Sequence, residues 1–253
     1  MFSTEIAGRI AILTLSSPPV NALSAAWLSG LGDQIDGLGA RQDWQVLHIR
    51  SDQKAFCAGA DLKEMRERFE ASDGPDRTYA YVASIQRLYA RIEGLRQVTL
   101  AEIGGAALGG GFELALACDL RIAAAEAKIG LPEVKLGLVP GAGGTQRLTR
   151  LIGRGLASRL ILGAETLDGA AAERLGLVQW SCPGAEIPAR ARDIAVRMAA
   201  LPPAALAAAK RCIAAAARSG QGGFGDELEA TRDLQSDPDT RRLVSAFLAG
   251  ARP

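Results

Sequence analysis

A chain of 253 residues with a single histidine has little to build a histidine-based metal site or a Ser-His-Asp triad from. That histidine, His48, lies in Gln45-Val46-Leu47-His48-Ile49-Arg50, which reads as a strand, so a ring bonded within a sheet is expected. Cysteine is equally sparse. Cys57, Cys118, Cys182 and Cys212 are widely separated, show no CxxC spacing and follow no secretory leader pattern, which predicts a reducing, cytoplasmic setting. Aromatic residues make up 5% of the chain, and 29 basic residues balance 28 acidic ones for a net charge of +1. No overall field gathers nucleic acid or an anionic membrane, and a non-catalytic RNA-binding role, which needs a basic groove with stacking rings, fits poorly. Charged residues interrupt every apolar run before the ~20 residues of a membrane span, so no membrane partner is expected.

What is present is a 48% hydrophobic composition, enough for one large core or a core with a small appended region. Apolar runs at Arg9–Ser16, Val46–Arg50, Thr99–Ile103, Leu120–Ala124 and Leu177–Trp180 predict strands. Helices are predicted from Ser24, an N-cap, to about Leu38, with Leu28, Leu31, Ile35 and Leu38 on one face, and over Leu62–Phe69, Tyr79–Ile92 and Phe112–Cys118. Asp168 caps a helix over Gly169–Leu175 that Gly176 stops. Past residue 185 the texture is helical: Ala189–Ala200, Ala204–Ala217, Phe224–Leu234 and Asp239–Leu248. These alanine-rich helices bury little area alone, so they suit packing on another subunit or back over the core. The expected organisation is an α/β core over residues 1–185 and a helical region over 186–253.

Two segments carry chemical promise. In Lys54-Ala55-Phe56-Cys57-Ala58-Gly59-Ala60-Asp61-Leu62-Lys63 a strand gives way to a helix, leaving backbone N–H groups free, and small residues let a ligand approach them. An ordinary tight connection would look the same. Leu108-Gly109-Gly110-Gly111-Phe112-Glu113 exposes amides where another helix begins, and one amide from each segment could form a two-donor oxyanion hole. A close crossing of packed backbones would also use such glycines. Glu113 and Glu133 sit among glycines and apolar groups that solvate a carboxylate poorly. If they converge, the pKa of one is raised and the pair offers an acid and a base, which suits adding or removing water. Equally, Glu113 could cap its helix while Glu133 pairs with Lys135 or Arg147. The run Gly141-Ala142-Gly143-Gly144-Thr145-Gln146 matches neither a dinucleotide fingerprint nor a P-loop.

Taken together, the blocks Pro19–Leu23, Lys54–Met65, Ala107–Asp119, Ala127–Arg150 and Ala170–Val178 resemble the crotonase (enoyl-CoA hydratase/isomerase) superfamily, most closely an enoyl-CoA hydratase. The resemblance implies an α/β fold, a crotonase-like spiral of repeated strand-strand-helix units with a helical C-terminal region that mediates trimers or dimers of trimers. It implies oxyanion-hole amides at Ala60 and Gly110, catalytic carboxylates at Glu113 and Glu133, and an acyl-CoA contact involving Ala22, Lys54, Ala58, Asp61, Leu62, Lys63 and Gly141. Coenzyme A then belongs to the substrate, and neither metal nor redox cofactor is expected. Hydration of a trans-2-enoyl-CoA to a 3-hydroxyacyl-CoA is the implied reaction, with double-bond isomerisation, which one carboxylate can serve, as the alternative. Two departures stand out: Gly104 replaces the Asn of a common Asn-Gly pair, and the end Ala249-Gly250-Ala251-Arg252-Pro253 lacks the usual lysines.

Overall fold

A computed structural model of the chain describes residues 1–216 and 222–248. It opens with an antiparallel hairpin of β1 (Phe2–Ala7) and β2 (Ile10–Leu15), and helix α1 (Ala25–Gly39) leads into a repeating order. Strands β3 (Val46–Ser51) and β4 (Ala55–Cys57) with helices α2 (Leu62–Glu70) and α3 (Gly74–Glu93) form the first turn. The second is β5 (Val98–Ile103), β6 (Ala106–Leu108) and α4 (Gly110–Leu116), and the third β7 (Leu120–Ala124), β8 (Ile129–Gly130) and α5 (Gly144–Leu162). β9 (Thr166–Leu167), α6 (Gly169–Arg174) and β10 (Trp180–Cys182) complete the sheets. Each turn gives its first strand to a six-stranded sheet, β1-β2-β3-β5-β7-β10, and its second to a four-stranded sheet, β4-β6-β8-β9. This is the expected spiral of strand-strand-helix units.

The long strands form because they are covered on both faces. Leu13 and Leu15 of β2, Leu47 and Ile49 of β3, Leu100 and Ile103 of β5 and Ile122 of β7 have no accessible surface beyond rounding, and such strands read as unbroken apolar runs. Each such side chain contributes on the order of 1.5–3 kcal/mol. His48, buried on β3, bonds Glu102 of β5 through Nε2 at 2.7 Å, as expected of a sheet histidine. Ser24 Oγ accepts the Trp27 N–H and so starts α1 where the sequence predicts it.

Four helices follow the last strand: α7 (Ile187–Ala199), α8 (Pro203–Ala216), α9 (Gly222–Ser236) and α10 (Pro238–Leu248). α7 lies across β2, β3, β5 and β7 and buries Ile187, Ala191, Ile194 and Ala195 in the main core. α9 packs chiefly on α8 and α10, leaving Phe224, Leu228, Val244 and Leu248 exposed. No described helix is long and apolar enough to cross a membrane.

Three differences from the sequence reading bear on the site. The helix expected from Phe112 begins at Gly110 and ends at Leu116, because Gly109, at φ 52°, makes the turn two residues earlier. The strand expected at Leu177–Trp180 lies at Trp180–Cys182, since the Leu177 and Val178 amides are spent closing α6 onto the Ala172 carbonyl. Helix α5 was not foreseen at all. Gly153, at φ 78° and ψ 159°, breaks its regular geometry and with it the apolar period.

Candidate active site

The parallel strands β4, β6 and β8 lie side by side, and the segments after their carboxyl ends carry the candidate residues. Parallel sheets bind ligands at that end because the loops there open a crevice. After β4 the chain turns through Gly59, at φ 93°, and Ala60 bridges Leu23 in parallel. The Leu23 N–H donates to the Gly59 carbonyl at 2.9 Å. Across a trans peptide the carbonyl and the following N–H point opposite ways, so this bond turns the Ala60 N–H away from Leu23. The same device recurs after β6, where the Gly109 carbonyl accepts the Glu113 N–H at 3.0 Å and turns the Gly110 N–H off the start of α4.

Among the described residues neither the Ala60 nor the Gly110 N–H has a hydrogen-bond partner, as a first helical residue in Gly110's place requires. The two segments touch. A methyl added to Gly59 would lie 3.0 Å from the Leu108 carbonyl oxygen and 3.7 Å from the Gly110 nitrogen. The expected amide pair is therefore brought together, and the positive φ at Gly59 and Gly109 explains why side chains are absent there.

Glu113, on the first turn of α4, is 2% exposed, and its Oε1 accepts the Gly144 N–H at 2.7 Å. Burial pushes its carboxyl up to about 7. The Gly144 bond works against that rise, and the nearby Glu133 charge adds a smaller push upward. Burial, rather than the mutual repulsion anticipated from the sequence, is thus the main cause. The α4 end is fixed by the buried Arg121, whose guanidinium donates to the Ala115, Cys118 and Leu177 carbonyls at 3.2, 2.7 and 2.8 Å. This cation adds a second donor to the Ala115 carbonyl, which already accepts the Cys118 N–H, and ties the end of α4 to Leu177.

Glu133 starts a single 3-10 turn, Glu133–Leu136. Burial raises its pKa too, and its Oε2 is buried with no hydrogen-bond partner among the described residues. A methyl on Gly109 would lie 3.0 Å from Glu133 Oε1, and one on Gly110 would lie 3.8 Å from Glu113 Oε2. Both carboxyls therefore lie against the Gly109–Gly110 segment. The alternative pairing of Glu133 with Arg147 is not formed. Arg147 binds Glu93 at 2.8 Å and donates to the Ala142 carbonyl at 2.9 Å.

The other candidate residues divide by strand end. Ala22, Ala58, Asp61, Leu62 and Lys63 surround the Leu23–Ala60 bridge. Ala58 gives its N–H to the Val20 carbonyl, and Asp61 caps α2 by accepting the Glu64 N–H on Oδ1. Lys63 is exposed and 4.0 Å from Glu67. Lys54 sits before β4, at the opposite end of that strand, roughly 13 Å of extended chain from Ala58. Gly141 lies in the loop before α5, and its carbonyl accepts from Gln86.

Three positioning groups escaped the sequence reading. Gly144, which gives Glu113 its N–H, belongs to the run set aside as a failed nucleotide motif. Arg147 holds that same loop through Ala142. Asn21 is fully buried, and its amide bonds Ser51 Oγ at 2.8 Å and the Phe56 carbonyl at 3.0 Å, anchoring the turn that ends in Leu23. The sequence marks Asn21 only as part of the Asn21-Ala22-Leu23 turn that the family resemblance sets against coenzyme A.

Two open backbone amides thus meet two carboxyls, Glu113 buried and Glu133 half-buried, beyond the ends of the parallel strands. Residues 5–248 match the enoyl-CoA hydratase/isomerase family, and the chain belongs to that family, within the crotonase superfamily. It is 36% identical to the 2,3-dehydroadipyl-CoA hydratase of Escherichia coli over 247 residues, covering 97% of this chain and 94% of that protein. Among solved structures it resembles Pseudomonas aeruginosa DspI, with TM-score 0.91 and 36% identity over 100% of this chain and 95% of that one. An enoyl-CoA hydratase of Bacillus anthracis gives TM-score 0.92 and 34% identity, covering 100% and 97%.

Proposed function

We propose that this protein is an enoyl-CoA hydratase that adds water across the double bond of a trans-2-enoyl-CoA. The observation that carries this reading is the placement of two carboxyls of raised pKa against the Gly109–Gly110 segment, next to two outward amides without partners. In the proposed reaction the thioester oxygen accepts from the Ala60 and Gly110 N–H groups. Glu113, ionised, takes a proton from water as its oxygen bonds to C3, and the electron pair of the double bond moves onto the thioester as an enolate. The two amides stabilise that oxygen where its charge develops. Glu133, protonated, then gives its proton to C2 as the enolate collapses. Water has been added, and transfer of the proton from Glu113 back to Glu133 through solvent restores the start. The thioester itself makes C3 electrophilic, so the chemistry calls on no cofactor.

Lys63 and the Ala22 and Leu62 backbone around the Ala60 loop are the proposed coenzyme A contacts, with Lys54 and Gly141 farther out. The exposed Phe224, Leu228, Val244 and Leu248 support assembly into a homotrimer or a dimer of trimers. Light scattering of the purified protein tests that assembly.

The function is tested by following enoyl-thioester absorbance with crotonyl-CoA for the wild type, Glu113→Gln and Glu133→Gln. Loss of hydration in both variants is expected. Full activity in both would sink the two-carboxylate assignment, and turnover of a 3-enoyl-CoA without hydration would move the protein to the isomerases of the same family.

A further inference from the structure

Helix α3 contributes no group to the reaction just described, yet its side chains reach three segments of the site along about 18 Å of helix, from residue 81 to residue 93. The Tyr81 hydroxyl donates to the Leu23 carbonyl. Gln86 donates to the Gly141 carbonyl at 2.6 Å, and the Tyr89 hydroxyl to the Gly110 carbonyl at 2.8 Å. Glu93 holds Arg147, which in turn holds Ala142.

The two tyrosines meet the two halves of the amide pair. Leu23 fixes the Gly59–Ala60 peptide through its N–H, and its carbonyl accepts the Asp61 N–H at 3.3 Å as well as the Tyr81 hydroxyl. Tyr81 therefore steadies the residue that aims the Ala60 N–H. On the other side, the Gly109 carbonyl is bound by the Glu113 N–H and the next carbonyl, that of Gly110, by Tyr89. Two consecutive peptide planes are pinned: the first carries the Gly110 N–H, and the second joins it at the Gly110 Cα. Tyr89 is fully buried, so its hydroxyl has no water to fall back on. Burial keeps both phenols protonated, and hence donors, at any working pH. Tyr81 is further held by the Arg68 guanidinium, 4.0 Å above its ring.

We infer that α3 is the positioning element of the oxyanion hole, with Tyr89 setting the direction of the Gly110 amide and Tyr81 that of the Ala60 amide. The inference rests on the proposed hydratase reading. Its logic is preorganisation: a donor aimed in advance stabilises the developing oxyanion, while one that tilts does not.

The test uses Tyr89→Phe and Tyr81→Phe, which remove one oxygen each and keep the rings. Crotonyl-CoA kinetics are combined with the absorbance of bound cinnamoyl-CoA, which moves to longer wavelength as its carbonyl is polarised. Removing a donor outright costs roughly 10²–10³ in kcat, so a tilted donor in Tyr89→Phe is expected to cost about tenfold, with KM little changed and the red shift of the bound thioester reduced. Tyr81→Phe, acting through Leu23, is expected to give the same pattern at smaller size. Wild-type kcat and red shift in Tyr89→Phe, whether or not its thermal midpoint falls, would overturn the inference by leaving the hydroxyl a merely structural role. If Tyr89→Phe does not fold, the same result in Tyr81→Phe overturns it. A wild-type protein that neither hydrates crotonyl-CoA nor shifts cinnamoyl-CoA would instead overturn the hydratase reading itself.

Discussion

Glu113 and Glu133 are the same residue type against adjacent glycines, Gly110 and Gly109, but they are held in different ways. Glu113 is enclosed on α4 and receives a backbone N–H from Gly144, a contact that favours its charged form against the burial that disfavours it. Glu133 starts a single turn, and no partner among the described residues supports its Oε2. Burial poises Glu113 near neutrality, at about 7, and also raises the half-buried Glu133, whose own backbone N–H works against the rise. The difference teaches that depth of burial separates the members of a carboxylate pair more than a single main-chain donor supplied to one of them offsets.

Removing the poised member breaks the contrast most severely. Glu113→Gln is expected to lower kcat on crotonyl-CoA by about 10³-fold, and with it to abolish the rise of kcat/KM as pH passes through about 7, measured across pH 5 to 9. If Glu133 were the base, that rise would survive in Glu113→Gln. The next effect is on stability. A carboxyl raised from 4.5 to about 7 in the folded state binds its proton more tightly there than when unfolded, so folding stability falls as pH rises between those values and levels off above. Glu113→Gln should therefore be more stable than wild type by roughly 3 kcal/mol at pH 8, with no gain below pH 4.5, by urea denaturation at both pH values.

A smaller and more pointed change is Gly144→Ala. Its methyl would lie 2.8 Å from Glu113 Oε1 and 2.9 Å from Leu131, pressing the donor and the Glu113 carboxyl apart while both carboxyls are kept. A loss of kcat on the order of tenfold is expected, with the pH midpoint moved upward as the bond that favours the anion lengthens. An unmoved midpoint would remove Gly144 from the explanation of the contrast. The smallest effect is expected from Lys63→Ala, outside the carboxylate pair. Exposed and screened, this residue should change KM for crotonyl-CoA by less than about tenfold and leave kcat alone.

The large sheet was legible because its central strands are buried on both faces and long enough to show it: β7 falls at Leu120–Ala124, as the apolar run indicates, and β5 begins one residue early. The small sheet was not. β8 and β9 are two residues long and β4 and β6 three, too short for any period to register, and their pairing depends on distant partners. β1 is an exposed edge with a polar pattern and reads as a tail. In the site, Glu113, Glu133 and the glycines announced themselves as carboxylates and bare backbone in apolar surroundings. Tyr81, Tyr89 and Gly144 did not, because their roles lie in bonds between a side chain and a main-chain atom 21 to 58 residues apart. The end Ala249–Pro253, where the sequence departs from the family, lies outside the described residues.

The pairing of Leu108 with Gly130 and of Ala107 with Ile129 fixes β6 against β8. A slip of one residue there would exchange the faces of the strand and bring a different peptide to its carboxyl end. The proposed donors are main-chain atoms, so no replacement at Ala60 or Gly110 other than proline deletes them. What can be lost is alignment, and the register of a three-residue strand thereby becomes a parameter of the reaction rate.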